Sequence, residues 1–229
     1  MQSLRHLTIE ETYELGEAIL EHNLSEVKKE LGDLLLHIIF YAKIGSETQD
    51  FDIGDVAHSI SEKLINRHPH IYGDVEVNNE DEVKQNWEAI KLKEGKKSVL
   101  EGVPHSLPAL VKANRIQEKV SGVGFDWERP EQVFEKLKEE LGELQEEVEA
   151  ANLERIEDEF GDVLFSMVNY ARFLGVNPEN ALERTNKKFM RRFTHLENRV
   201  KEQQKTLHKM SLDEMNVFWE EAKLAKDKN

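Results

Sequence analysis

Cysteine is missing from all 229 residues, which removes disulfide staples, thiol nucleophiles and thiolate zinc sites together. Positive charge is in deficit: 31 Lys and Arg stand against 46 Asp and Glu, a net charge of −15. That balance argues against a nucleic-acid binder and against a protein resting on acidic membrane, both of which want basic surface. No run approaches the ~18 apolar residues of a membrane helix, and no signal-peptide pattern opens the chain. Apolar residues are only 38% of the total, yet they are periodic, which excludes a disordered chain. The expectation is a soluble, acidic, cytoplasmic protein.

Proline and glycine are also scarce, at 5 and 12, and helix-period runs fill the stretches between them. Helices are predicted over Ile9–Glu21, Leu24–Ile44, Ile53–Arg67, Glu80–Lys93, Leu110–Val120, Glu131–Ala151, Leu153–Leu174, Pro178–Gln203 and Leu212–Ala225. In the second of these, Val27, Leu31, Leu34, Leu35, Ile38 and Ile39 recur at three- and four-residue spacing. Asp52 suits an N-cap, Pro130 and Pro178 suit first helical positions, and His68-Pro69-His70 reads as a turn. No alternating run long enough for a sheet occurs. The predicted fold class is all-α.

The sequence repeats itself. Glu11 and Glu140, Glu14 and Glu143, Glu30 and Glu159, and Asp33 and Asp162 are each separated by 129 residues. Asn23-Leu24 and Asn152-Leu153, and Tyr41-Ala42 and Tyr170-Ala171, keep the same offset. A gapless match across two helices and their turn marks a duplicated helical unit. The predicted organisation is a first domain over 1–94, a linker over 95–109 and a second domain over 110–229.

The repeated residues carry chemistry. Glu140 and Glu143 lie one helical turn apart on one face, as do Glu159 and Asp162 on the next helix. An antiparallel hairpin turning near Ala151-Asn152 brings both pairs to one pocket, where uncompensated carboxylates would cost several kcal/mol. An acidic pair alone is more often plain helix surface. Here the pattern recurs, and Glu159 and Asp162 sit among Ile156, Phe160, Val163 and Leu164, as Glu30 and Asp33 sit among Val27, Leu31, Leu34 and Leu35. Divalent cations compensate such a cluster, and oxygen-only ligands select hard ions, Mg²⁺ with Mn²⁺ as substitute. A di-iron bundle needs Glu-x-x-His pairs; none of the nine His has a Glu three residues before it.

Each half also carries a basic cluster followed by a tryptophan: Lys63-Leu64-Ile65-Asn66-Arg67 before Trp87, and Lys187-Lys188-Phe189-Met190-Arg191-Arg192 before Trp219. Cations beside a hard metal suit a polyphosphate, and an indole suits a base, so the parts together fit a nucleotide.

The doubled Glu-Glu-x-x-Glu then Glu-x-x-Asp pattern resembles the MazG family of nucleoside triphosphate pyrophosphohydrolases. Lys188-Phe189-Met190-Arg191-Arg192, Val123-Gly124-Phe125-Asp126-Trp127, Arg67-His68-Pro69-His70 and Ser106-Leu107-Pro108-Ala109-Leu110 extend the likeness over essentially the whole chain. The resemblance implies tandem all-α helical-bundle domains that form a homodimer. It implies Mg²⁺-dependent hydrolysis of many NTPs and dNTPs to NMP and pyrophosphate, with no membrane or nucleic-acid partner. By position it makes Glu140, Glu143, Glu159 and Asp162 the metal ligands. Lys136, Glu139, Arg155, Asp158, Lys188, Arg191 and Arg192 would surround the triphosphate, and Trp219 would line the nucleotide pocket. Glu139 or a ligand carboxylate would take the proton of the attacking water.

A second metal set, Glu11, Glu14, Glu30 and Asp33, is present in the first copy, but Asn66 stands where the second has Arg191. Relatives of the family carry a further N-terminal segment with a Cys-Pro-Trp-Asp motif, whereas this chain opens at Met1-Gln2-Ser3. The main active site is therefore expected in the second copy. Two other readings fit the residues: a non-catalytic helical regulatory or dimerisation scaffold, and a pyrophosphatase specialised for dUTP or a modified nucleotide.

Overall fold

A computed structural model of the chain describes residues 1–73 and 98–224, together with Val75, Val83, Asn86, Trp87 and Ile90. The fold is all-α, with no strand among the described residues. It divides into two compact units, Met1–Glu101 and Gly102–Asn229. No helix of the described residues is long and apolar enough to cross a membrane.

In the first unit, α1 (Arg5–Leu20) and α2 (Leu24–Glu47) form a hairpin, followed by α3 (Ile53–Arg67) and the single turn α4 (Pro69–Tyr72). His22 turns the hairpin at φ 55°, and the Asn23 side chain accepts the Glu26 backbone N–H at 3.3 Å to cap α2. Asp52 and Asp55 close a capping box at the start of α3, with bonds of 2.9 and 3.0 Å. Such caps occupy amide groups that the first helical turn leaves without partners.

Three boundaries differ from expectation. α1 starts at Arg5 because a 3₁₀ turn at Gln2–Leu4 feeds it and Thr8 Oγ1 donates to the Leu4 carbonyl at 3.1 Å. α2 runs on to Glu47 because Gly45 is buried against the Phe51 ring, where a Cβ would lie 2.8 Å from ring carbons. The turn expected at His68–His70 is instead the start of α4, with Pro69 at its first position. Most of the helix expected over Glu80–Lys93, and residues 95–97 of the linker, lie outside the described residues; Val83, Asn86, Trp87 and Ile90 are helical.

The second unit holds α5 (Ala109–Ser121), α6 (Pro130–Glu149), α7 (Leu153–Phe173), α8 (Pro178–Glu202) and α9 (Leu212–Leu224). The α6–α7 hairpin reproduces the α1–α2 turn: Ala151 adopts φ 53° and Asn152 caps the Arg155 N–H. Pro130 and Pro178 each begin a helix, and Asn177 caps α8 through the Asn180 N–H at 3.0 Å. Val133, Leu137, Val163 and Val168 are buried along the hairpin. A second cluster joins α8 and α9 through Leu196, Val200 and Phe218, flanked by Leu207, Met210 and Met215. Each such side chain withdrawn from water contributes about 1.5–3 kcal/mol. α5 packs against both α7 and α8.

Candidate active site

The α6–α7 hairpin decides the site. Helical periodicity sets Lys136 and Glu140 one turn apart on α6, and Glu159, Asp162, Ser166 and Asn169 in line along one face of α7. The turn at Ala151 folds these faces together. One carboxylate oxygen from each of Glu140, Glu159 and Asp162 lies within 4.8 Å of the other two. Glu140 is buried at 6% exposure. Its charge is met by Lys136, whose Nζ lies 2.9 Å from Glu140 Oε1 and 2.6 Å from Glu139 Oε1. The hydrogen bonds that Lys136 donates to these two carboxylates, the one to Glu139 first, hold its ammonium above the ordinary lysine range. Arg155 spans the turn, 2.9 Å from Glu147 and 3.6 Å from Glu159. Asp162 makes no ion pair among the described residues.

Glu143 stands outside the tight triad, exposed on α6. Desolvation, followed by the charge of Glu140, pushes its carboxyl above the ordinary glutamate value. Glu139 and Asp158 are also exposed, at the margin of the site. Three clustered carboxylates, one of them buried, form an oxygen-only donor set spaced for one hard divalent cation, whose ligand oxygens stand roughly 3–4 Å apart around Mg²⁺.

The basic cluster forms a separate group on α8 and α9. Phe189 packs against Trp219 with ring centroids 5.0 Å apart, and the Arg192 guanidinium lies 5.9 Å from the Trp219 ring centre. Among the described residues no hydrogen bond or ion pair joins Lys188, Arg191 or Arg192 to the α6–α7 carboxylates. Lys188 and Arg191 are exposed.

Two cavities lie along the hairpin: the smaller reaches the triad, and the larger shares three lining residues with the smaller. The smaller, about 170 Å³, is walled by Lys136, Glu140 and Asp162 on one side and by Trp127, Phe165 and Asn169 on the other. The larger, about 460 Å³, shares Trp127, Phe165 and Asn169 and extends past Gln117, Phe125 and Arg172. Its rim is fastened by Arg172, which donates from Nη1 to Asp126 Oδ2 at 2.8 Å and ties the loop before α6 to α7. Burial raises the Asp126 carboxyl, but the hydrogen bonds from Arg172 and Ser121 outweigh it and leave the group below the ordinary aspartate value. Sequence reasoning did not single out Gln117, Asn169 or Arg172. A signal existed for Asn169, which lies seven residues past Asp162 and therefore two turns along the same face.

The first unit also gathers carboxylates, but a different three: Glu11, Glu14 and Glu30 lie within the same 4.8 Å span, with Glu14 (the counterpart of Glu143) inside the cluster, Asp33 (the counterpart of Asp162) outside it, and Glu30 the buried member. Lys29 Nζ lies 2.9 Å from Glu30 Oε1, and its hydrogen bond is the leading cause that holds the Glu30 carboxyl below its ordinary value. Desolvation and the Asp33 charge raise Glu11. At the positions of Lys136 and Asn169, the first copy has Leu7 and Phe40.

The MazG nucleotide pyrophosphohydrolase domain matches residues 1–72 and 128–196. The chain is 45% identical over 225 residues to "Nucleoside triphosphate pyrophosphohydrolase/pyrophosphatase MazG" of Thermotoga maritima, covering 97% of this chain and 86% of that protein. It is 40% identical over 222 residues to "Nucleoside triphosphate pyrophosphohydrolase" of Escherichia coli (strain K12), covering 94% and 84% respectively. It is also 47% identical over 226 residues to "Uncharacterized protein YabN" of Bacillus subtilis (strain 168), covering 97% of this chain and 46% of that protein.

Proposed function

Since the chain belongs to the MazG nucleotide pyrophosphohydrolase family and is accordingly a hydrolase of acid anhydrides, we propose that it cleaves nucleoside triphosphates to nucleoside monophosphate and pyrophosphate. The observation that carries this reading is the Glu140–Glu159–Asp162 triad within 4.8 Å, next to a lysine and a small cavity that shares Trp127, Phe165 and Asn169 with a larger one of about 460 Å³. Glu140, Glu159 and Asp162 would hold Mg²⁺ or Mn²⁺, with Glu143 one turn along α6 completing the set. A bound Mg²⁺ would supply charge neutralisation and lower the pKa of the attacking water.

This chain's own groups do the remaining work. Lys136 pairs with the phosphates, and Arg155 and Asp158 line the approach beside α7. Lys188, Arg191 and Arg192 close on the triphosphate, and Trp219 flanks the nucleotide. Water attacks the α-phosphorus in line with the bridging oxygen to the β-phosphorus, that P–O bond breaks, and pyrophosphate departs. Glu139, hydrogen-bonded to Lys136 but outside the triad, accepts the water's proton. The second unit is the main active site: Leu7 and Phe40 in the first copy remove the cation and the amide that Lys136 and Asn169 provide. Broad specificity and a cytoplasmic location complete the reading.

A homodimer is proposed as well. Leu31, Leu35, Ile38 and Ile39 on α2, and Phe160, Leu164 and Met167 on α7, are each about half exposed. Apolar surface on this scale marks an interface more often than free surface. Light scattering on the eluting chain should give twice 26.6 kDa, and a monomer mass would remove the dimer.

Product analysis with Mg²⁺ and each common NTP and dNTP tests the activity. NMP with pyrophosphate from several substrates is expected. Nucleoside diphosphate with phosphate would overturn attack at the α-phosphorus, and turnover of dUTP alone would overturn broad specificity.

A further inference from the structure

Nothing in the metal or phosphate chemistry above calls for Glu147. Helical spacing sets it on the face of α6 that carries Glu140 and Glu143, seven and four residues further along. It does not join the triad. Instead its Oε1 lies 2.9 Å from Arg155 Nε, across the turn between α6 and α7. The Glu147 side chain is one-fifth exposed and that of Arg155 three-fifths, so the carboxylate is the anchor and the guanidinium the arm it holds.

Arg155 also precedes Glu159 by four residues on α7, the spacing of an ordinary helical ion pair. That pair is only half made. Arg155 Nη2 stops 3.6 Å from Glu159 Oε1, beyond hydrogen-bond reach. A guanidinium is a rigid planar fork, so with Nε against Glu147 it cannot swing fully onto Glu159. The first copy supplies the contrast. Ala18 stands at the position of Glu147 and Glu26 at that of Arg155, so both members of the pair are replaced together. There Lys29 donates directly to Glu30, the counterpart of Glu159, at 2.9 Å. The carboxylate capped by a cation in the first copy is left open in the second.

We infer that Glu147 is a positioning residue that holds Arg155 off Glu159. It keeps that carboxylate open to a divalent cation and leaves the outer N–H groups of the guanidinium for the polyphosphate. The inference rests on the metal and nucleotide reading above. Glu147 touches neither ligand and acts only through Arg155. Without it, Arg155 closes on Glu159 as Lys29 closes on Glu30, and the cation must displace it.

The test is a calorimetric titration of Mg²⁺ into the full chain without nucleotide, for the wild type, Glu147→Ala, Arg155→Ala and the double variant. Neither residue is buried, so the variants keep the fold. Glu147→Ala frees Arg155 to compete for Glu159, and Kd for Mg²⁺ should rise about threefold. Arg155→Ala removes a cation beside the site, and Kd should fall by a similar factor, the scale of one screened unit charge at this distance. The double variant should match Arg155→Ala, because Glu147 acts through Arg155. Glu147→Gln keeps an acceptor oxygen and should recover part of the loss. A pair that merely stapled the hairpin would move both single variants the same way. With ATP and saturating Mg²⁺, both single variants should raise KM roughly fivefold, the scale of one weakened charge-assisted contact, with kcat little changed. Mg²⁺ affinity unchanged or shifted in one direction by both single variants, or a double variant unlike Arg155→Ala, would overturn the inference. A wild type that binds no Mg²⁺ would remove the metal reading and this inference with it. If Mg²⁺ binds but ATP yields no AMP, the hydrolase reading fails by itself, and the opposite shifts in Mg²⁺ affinity still decide the role of Glu147.

Discussion

Replacing Asp162 by Asn should make the metal-free protein more stable while abolishing its function. In the triad, Glu140 is offset by Lys136 at 2.9 Å and Glu159 by Arg155 at 3.6 Å. Asp162 has two carboxylate neighbours within 4.8 Å and no ion pair among the described residues. At that separation each like-charge pair costs about 0.9 kcal/mol in the water limit, which is the right limit for an exposed group. Two pairs, reduced roughly by half by physiological salt, leave about 1 kcal/mol of repulsion that asparagine removes without changing shape. For a unit of this size that raises the unfolding midpoint by about 2–5 °C. Glu140→Gln should give no such gain, because the same change strips Lys136 of its buried partner. In Mg²⁺ the order reverses: the wild type gains about 2.7 kcal/mol at a hundred times Kd, whereas Asp162→Asn gains little and has no turnover. Differential scanning calorimetry in EDTA and across a Mg²⁺ titration reads both effects. A lower midpoint for Asp162→Asn in EDTA, or an undiminished response to Mg²⁺, would refute the triad as a metal site.

Lys136→Met should raise KM for NTP by roughly 10–100-fold, the value of one charge-assisted hydrogen bond to phosphate; steady-state kinetics checks this, and an unchanged KM would remove Lys136 from the phosphate site. The Asp126–Arg172 pair should make stability fall on acidification. Because the folded Asp126 carboxyl lies below its ordinary value, its contribution is present above the unfolded pKa and lost as pH falls through the folded one. Thermal midpoints of the wild type should therefore fall more steeply below about pH 4 than those of Asp126→Asn. Leu137→Ala removes a side chain only 5% exposed and should cost about 2–5 kcal/mol in urea unfolding.

Periodicity and punctuation in the sequence determined the helices and the duplication. Asn23 and Asn152 mark the hairpin turns, Asp52 caps its helix, and Pro130 and Pro178 open theirs, because caps and fixed proline φ values act within one helical turn. The pairing of Glu140 with Glu159 and Asp162 followed as well, since a short turn leaves an acidic α6 facing an acidic α7 little choice. Local rules failed where a distant side chain intervened, as at Gly45, whose contact with Phe51 carries α2 past its expected end. They also could not say that Glu143 stands outside the triad, because helical spacing fixes a face but not which of two exposed carboxylates reaches the partner helix.

What only the tertiary structure decided is the surroundings of the acidic site. Gln117 on α5 meets the Phe165 carbonyl of α7 across 48 residues of sequence, and Arg172 meets Asp126 across 46. Neither residue has a neighbour in sequence that announces its role. A glutamine in a helix is ordinary until packing sets its amide against another helix, and an arginine is ordinary until a loop aspartate meets it. The carboxylates could be found from the sequence because their spacing is set by the helix that carries them. The pocket beside them is set by three helices and a loop, and its chemistry exists only once they are packed.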